Sequence, residues 1–140
     1  MAVDVKYRAL ATSTGGRAGN SITPDGKLDV SLSVPKELGG DGGDGTNPEQ
    51  LFAAGYSACF LGAMQFHARQ GGIDLSPDTA VTAAVGVGPD DPGFGLEVEL
   101  TIANTGLSPD DAKALVDKAH TTCPYSKAVQ GNVGVKLSVA

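Results

Sequence analysis

The chain has 140 residues, which fits a single domain over residues 1–140. Its 16 acidic residues outnumber 10 basic ones and give a formal charge of −6, so no basic stripe is available to release counterions from a nucleic acid. Residues 1–11 hold no long apolar run, and the most apolar stretch, residues 51–64, is shorter than the about 20 residues that span a bilayer. We therefore expect a cytoplasmic protein without nucleic-acid or membrane partners.

The first third of the chain has the features of short strands. Apolar and polar residues alternate over residues 3–11 and 28–34, which is the period of a half-buried strand, and residues 17–23 form a third candidate. A Pro-Asp-Gly turn signal at residues 24–26 separates the segment 17–23 from the segment 28–34. The sequence predicts three antiparallel strands here, followed by a mobile glycine-rich loop at residues 39–45.

A long helix follows this loop. Asn47 is a suitable N-cap, Pro48 fits the first helical position and Gln50 can complete a capping box, while the glycine pair after Gln70 ends the helix. Residues 51–64 are apolar nearly all round, which predicts a helix that is buried on every side. One small domain offers few elements to cover such a helix.

The second half of the chain alternates between strands and helices. Strands are predicted at residues 79–87, 96–103 and 133–139, a helix at 108–122, and a short helix from Pro124 to about Gly131. The predicted order is β-β-β-α-β-β-α-β with one extra short helix, an α+β domain with antiparallel hairpins.

The two cysteines are the candidates for chemistry. In a reducing cytosol a cysteine pair is more often catalytic or redox-sensing than a structural staple, although two unrelated buried thiols would also fit. Cys59 shares a helix face with Gly55 and Gly62, so either another chain segment or a substrate approaches the thiol closely, or small residues simply pack there. Cys123 precedes Pro124 at a helix N-terminus, which favours a thiolate but also suits an ordinary cap residue.

A reactive Cys59 needs a cation, because apolar surroundings raise the pKa of a thiol. One arginine in a site shielded from water can supply the required preference for thiolate. Spacing does not choose among Arg8, Arg17 and Arg69. Glu49 either complements the helix dipole in the first turn or orients an arginine through a bidentate pair.

A metal site is the main rival interpretation of the cysteines. His120 and Cys123 are three residues apart and could chelate a metal together with Cys59. With two histidines in the chain, a set of four ligands would have to recruit carboxylates, so the sequence does not favour this reading.

Two segments resemble a known family. Residues 47–60, NPEQLFAAGYSACF, closely resemble the cysteine-bearing helix of organic hydroperoxide resistance proteins, within the OsmC/Ohr family. Residues 123–128, CPYSKA, resemble its second cysteine motif, and the order of elements matches across essentially the whole chain. The tyrosine–serine pairs in both segments are more similar to the Ohr branch than to the OsmC branch.

The resemblance implies a fold, a reaction and a set of site residues. Antiparallel β-sheets would pack around a long buried central helix carrying Cys59, in an intertwined homodimer. Cys59 would reduce organic hydroperoxides, Cys123 would resolve the oxidised thiol as a transient disulfide, Arg17 would activate Cys59 and Glu49 would orient Arg17. The implied substrates are alkyl and fatty-acid hydroperoxides. No resident cofactor is expected, and a dihydrolipoyl group of a lipoylated protein would be the external reductant.

Two alternatives remain open at this point: an OsmC-type peroxidase with another substrate preference, and a non-enzymatic redox sensor that uses the same cysteine pair. The position of Glu49 raises a further question, because ten residues of straight helix place it roughly 15 Å from Cys59. Either the partner subunit of a dimer supplies Glu49, alone or together with Arg17, to an active site at the interface, or the helix breaks near Gly55.

Overall fold

The computed structural model describes residues 2–140. These residues form two compact units, Met1–Pro48 and Glu49–Ala140. The second unit carries both cysteines.

The first unit contains a small antiparallel sheet of three strands. The strands β1 (Thr12–Thr14), β2 (Asn20–Ile22) and β3 (Asp29–Ser31) lie in that order. A 3₁₀ turn at Gly16–Ala18 joins the first two strands, and it follows Gly15 in the left-handed region. The glycine-rich residues 39–45 form a loop, as predicted, whose backbone bonds back to Val34 and Pro35.

The predicted strand over residues 3–11 is wrong for the single chain. Residues 2–11 carry no regular element, and Val3 and Tyr7 are 81% and 83% exposed. An alternating segment becomes a strand only when a neighbouring strand pairs with its backbone, and within residues 2–140 pairing begins at Thr12. The apolar side chains of this segment therefore face solvent in the isolated chain.

The second unit packs helices on one sheet. Its elements are α1 (Pro48–Gln70), β4 (Ala80–Pro89), β5 (Phe94–Ala103), α2 (Pro109–Thr122), α3 (Pro124–Val129) and β6 (Val135–Val139). Strands β4 and β5 form the predicted antiparallel hairpin, whereas β6 pairs with β5 in parallel. The expectation of antiparallel hairpins does not extend to β6, because the α2–α3 connection crosses over before the chain re-enters the sheet.

The core of this unit follows the periods of its elements. On β5 every second residue from Val98 to Ile102 is buried, and on α2 the buried residues recur every three or four positions. These side chains meet one stripe of α1, and the set comprises Tyr56, Phe60, Met64, Val98, Leu100, Ile102, Leu115, Val116 and Ala119.

Helix α1 is buried along one face, not on every side as predicted. The buried positions are spaced by about one helical turn, and Phe66 on another face is 50% exposed. The other elements of one chain are too few to surround a helix of 23 residues. Across residues 2–140, no helix combines the length and apolar character needed to cross a membrane.

Candidate active site

Two elements bring the thiols of Cys59 and Cys123 together. Cys59 lies in the middle of α1, beside the buried stripe formed by Tyr56 and Phe60. Cys123 lies at the junction between α2 and α3, where its N–H donates to Ala119 and its carbonyl accepts from Lys127. Pro124 begins α3, as predicted, and the resulting turn directs the Cys123 thiol at α1.

The two sulfur atoms are 3.7 Å apart, and both cysteines are free thiols. A disulfide requires a separation of about 2.05 Å, so a small movement of either side chain would close one. Cys59 is partly accessible, whereas Cys123 is fully buried. Of this pair, Cys59 is therefore the thiol that an incoming substrate can meet first.

The electrostatic setting opposes ionisation of Cys59, as the sequence predicts. Burial raises the pKa of the Cys59 thiol above its ordinary value, and the neighbouring Cys123 sulfur acts in the same direction. The backbone N–H of Tyr125 bonds to the Cys59 sulfur and lowers the pKa, but less than burial raises it. These surroundings leave a need for a cation near Cys59.

The two remaining predicted site residues lie in different units. Arg17 is an exposed residue of the 3₁₀ turn Gly16–Ala18 in the first unit. Glu49 is half-buried in the first turn of α1, at the start of the second unit. Helix α1 is continuous from Pro48 to Gln70, so the alternative of a break near Gly55 is wrong. The roles of Arg17 and Glu49 stay predictions.

An aromatic group lies beside Cys59. The rings of Phe52, Tyr56 and Tyr125 contact one another with centroid separations of 5.7 to 6.0 Å. Tyr125 lies against Gly55, one turn before Cys59, where an added Cβ would come within 2.8 Å of the tyrosine hydroxyl. Gly55 thus makes room for an aromatic ring next to the Cys59 thiol.

The apolar surface beside Cys59 does not come from the residue that follows it in the sequence. Phe60, the residue after Cys59, points into the core and is fully buried. Phe52 and Tyr125 instead form the partly accessible apolar surface on this side of α1. Sequence proximity suggests Phe60, but the helical rotation of about 100° per residue turns it away from the Cys59 side chain.

Sequence reasoning also missed a chain of polar side chains around Cys123. The Tyr56 hydroxyl lies 2.7 Å from the Ser126 hydroxyl, which lies 2.9 Å from Nδ1 of His120. Burial raises the pKa of Tyr56, which keeps its hydroxyl protonated and able to donate. Tyr56 lies in the first cysteine motif and Ser126 in the second. No sequence pattern indicates that these residues, 70 positions apart, are in contact.

The alternative of a metal site receives no geometric support. Among residues 2–140, no three histidine, cysteine or acidic side chains gather closely enough to hold a metal ion. His120 instead bonds to Ser126, and His67 places its Nε2 2.7 Å from the hydroxyl of Thr122.

The fold and the site define an α+β protein with two free thiols in contact, one on α1 and the other between α2 and α3. A family model described as "OsmC-like protein" matches residues 40–138. The organic hydroperoxide resistance protein of Xanthomonas axonopodis pv. citri is 53% identical over 136 residues, which cover 97% of this chain and 96% of that relative. OhrB of Bacillus subtilis, named as an organic hydroperoxide resistance protein, is 41% identical over 133 residues, covering 95% of this chain and 97% of OhrB.

Solved structures agree with these relatives. The crystal structure of an organic hydroperoxide resistance protein from Legionella pneumophila matches with a TM-score of 0.92 and 48% identity, over 98% of this chain and 99% of that one. The OhrB structure matches with a TM-score of 0.89 over 97% of this chain and 100% of OhrB, at 41% identity. The chain belongs to the OsmC/Ohr family, in the branch of the organic hydroperoxide resistance proteins.

Proposed function

We propose that this protein is a thiol peroxidase that reduces organic hydroperoxides and serves in the response to oxidative stress. The observation that carries the proposal is the pair of free thiols 3.7 Å apart, one partly accessible and the other buried behind it. The names of its relatives, organic hydroperoxide resistance proteins, support the substrate class.

The proposed reaction has two steps on the protein. The Cys59 thiolate attacks one peroxide oxygen, the O–O bond breaks, and the leaving alkoxide takes a proton to become the alcohol. Cys59 thereby becomes a sulfenic acid. The Cys123 thiol then displaces the sulfenic oxygen as water, and the two sulfurs form a disulfide.

The cycle needs a dithiol to reduce this disulfide. We propose a dihydrolipoyl group on a lipoylated protein, which would attack one sulfur and pass through a mixed disulfide. The electrons lost by the dithiol are those gained by the peroxide, so no resident cofactor takes part. A transient disulfide of this kind suits a reducing compartment, and we propose the cytoplasm.

Activation of Cys59 is assigned to Arg17 and Glu49. The raised pKa of Cys59 supports the need for a cation, and the family resemblance supports Arg17 as its source. Glu49 would hold the guanidinium through a bidentate pair. Because α1 is continuous, Glu49 lies roughly 15 Å along the axis from the Cys59 of its own helix. We propose that two copies of the chain form a dimer and share their active sites across the interface.

Steady-state turnover tests the proposal. Cumene hydroperoxide and dihydrolipoamide are supplied in excess, and alcohol formation is followed for the wild type, Cys59→Ser and Cys123→Ser. We expect many turnovers for the wild type and none with dihydrolipoamide for either variant. A wild-type protein that oxidises once and then stops would instead be a redox sensor.

A further inference from the structure

Two side-chain hydrogen bonds attach the Cys123 turn to α1, one on each side of the cysteine. Before Cys123, the hydroxyl of Thr122 lies 2.7 Å from Nε2 of His67. After it, the hydroxyl of Ser126 lies 2.7 Å from the hydroxyl of Tyr56. Tyr56 precedes Cys59 by about one helical turn, so the same helix carries one thiol and both anchors of the other.

The Tyr56–Ser126 bond lies in the protein interior. Tyr56 is fully buried and Ser126 is 2% exposed, and His120 completes the chain through its Nδ1. Within residues 2–140, each buried side-chain nitrogen or oxygen has a hydrogen-bond partner. If the turn moved away from α1, the buried Tyr56 hydroxyl would lose its Ser126 partner, which costs more than the loss of a bond at the surface.

The Tyr125 ring also packs against Phe52 and Tyr56 of α1, so aromatic contact adds to these two hydrogen bonds. The Cys123 side chain makes no capping bond to α3, and α3 has six residues, too few for a helix that is stable alone. Thr122 is exposed, and its hydroxyl also approaches the Lys118 and Ala119 carbonyls at 3.4 Å, so its bond to His67 is the weaker anchor. The interior anchor therefore contributes more to the position of the Cys123 thiol.

We infer that Tyr56 and Ser126, assisted by His67 and Thr122, are positioning residues for the closure of the Cys59–Cys123 disulfide, an inference that rests on the proposed function. In this step the Cys123 sulfur bonds to the Cys59 sulfur, the S–O bond of the sulfenic acid breaks, and water leaves. The two anchors hold the thiols at near-attack distance, which raises their effective concentration.

The anchors also protect Cys59 from damage. Before closure, the Cys59 sulfenic acid can react with a second hydroperoxide molecule. One peroxide oxygen is transferred to the sulfur, the alcohol leaves, and the sulfenic acid becomes a sulfinic acid that the dithiol does not restore. Fast closure by Cys123 removes the sulfenic acid first. The positioning residues thus determine the hydroperoxide concentration at which Cys59 is converted to the sulfinic acid.

The test uses Tyr56→Phe and Thr122→Val in the full chain. Ser126→Ala is less suitable, because it would leave both Tyr56 and His120 without their partner, whereas Tyr56→Phe keeps the buried ring. Thr121→Val is the matched control, since Thr121 is the exposed neighbour whose hydroxyl bonds to the Lys118 carbonyl of its own helix. Stopped-flow oxidation with cumene hydroperoxide gives the rate of Cys59 oxidation, rapid acid quench with thiol labelling gives closure, and mass spectrometry gives the sulfinic acid.

We expect Tyr56→Phe to slow closure on the order of tenfold and Thr122→Val by about two- to threefold, with Thr121→Val unchanged. Sulfinic acid should accumulate at lower hydroperoxide concentrations in the same order, while the first oxidation of Cys59 keeps its rate. Disulfide closure at the wild-type rate in all variants would overturn the inference. An equal loss in both steps would also overturn it, since that indicates general loosening. A wild type that forms no disulfide would refute the proposed function itself.

Discussion

At the residue scale, Cys59 is the proposed nucleophile, and its surroundings favour the protonated thiol. Burial and the Cys123 sulfur raise its pKa, and the Tyr125 N–H only partly opposes them. The proposed reaction therefore needs a positive charge that stabilises the Cys59 thiolate. Of the three arginines, Arg17 is the one that the family resemblance assigns to this role.

Replacement of Arg17 should move the titration of Cys59. We expect Arg17→Ala to raise the Cys59 pKa and to reduce the thiolate fraction at neutral pH on the order of tenfold. The rate of Cys59 oxidation depends on the thiolate fraction. In Arg17→Ala the increase of this rate with pH should therefore occur at higher pH than in the wild type. Glu49→Ala should act in the same direction by releasing the guanidinium. Ultraviolet absorbance of the thiolate against pH measures both.

Arg8→Ala and Arg69→Ala are matched controls, because each removes one exposed arginine. Both should leave the titration of Cys59 where it is in the wild type. If either control shifts the Cys59 pKa more than Arg17→Ala does, Arg17 is not the activating cation.

At the element scale, most helices and strands follow from local sequence signals. Asn47, Pro48 and the glycine pair after Gln70 bound α1, and Ser108 caps α2 by accepting from the Asp111 N–H. Patterns of this kind depend on nearby residues, which is why they can be read from one chain.

Features that depend on distant partners were not predictable in the same way. The parallel pairing of β6 depends on the path of α2 and α3, and the state of residues 2–11 depends on a pairing strand. The site shows the same division. The motifs indicate both cysteines, but only the fold brings Tyr56 to Ser126 and turns Phe60 away from Cys59.

The aromatic group between α1 and α3 predicts a preference among peroxides. Phe52 and Tyr125 offer apolar surface beside Cys59, and burial of about 60 Å² of substrate at about 25 cal/mol per Å² is worth roughly tenfold in rate. Cumene hydroperoxide should therefore react at least tenfold faster than hydrogen peroxide, which has almost no apolar surface. Second-order rate constants for the two peroxides measure this.

Tyr125→Ser locates the source of the preference, since it removes the ring but keeps the backbone N–H that bonds to Cys59. This variant should have a lower rate constant for cumene hydroperoxide and a nearly unchanged rate constant for hydrogen peroxide. Phe94→Ser, which removes an exposed ring at the start of β5, serves as the control. Equal rate constants for the two peroxides in the wild type would exclude an apolar substrate site.

At the scale of the whole molecule, exposed apolar side chains support the proposed dimer. Phe66 on α1 and the alternating Val3, Val5 and Tyr7 are exposed in the single chain. A monomer rarely leaves so much apolar surface uncovered. These features support the proposed intertwined dimer, in which each chain would cover α1 of the other.

Mixed dimers test whether the active sites are shared. We expect a heterodimer of one Cys59→Ser chain and one Glu49→Ala chain, purified with two different tags, to recover about half of wild-type activity. One of its two sites would then combine an intact Cys59 with an intact Glu49 from the other chain. Each homodimeric variant is the control and should stay impaired. No recovery, or a monomer by sedimentation at micromolar concentration, would contradict shared sites.

In the proposed reaction, Cys59 attacks the peroxide and Cys123 closes the disulfide. Stopped-flow measurement of peroxide consumed in a single turnover, without any dithiol, tests these roles most directly. We predict that Cys123→Ser rapidly consumes one equivalent of cumene hydroperoxide and that Cys59→Ser consumes none. Consumption by Cys59→Ser together with an inert Cys123→Ser would contradict the account and reverse the two roles.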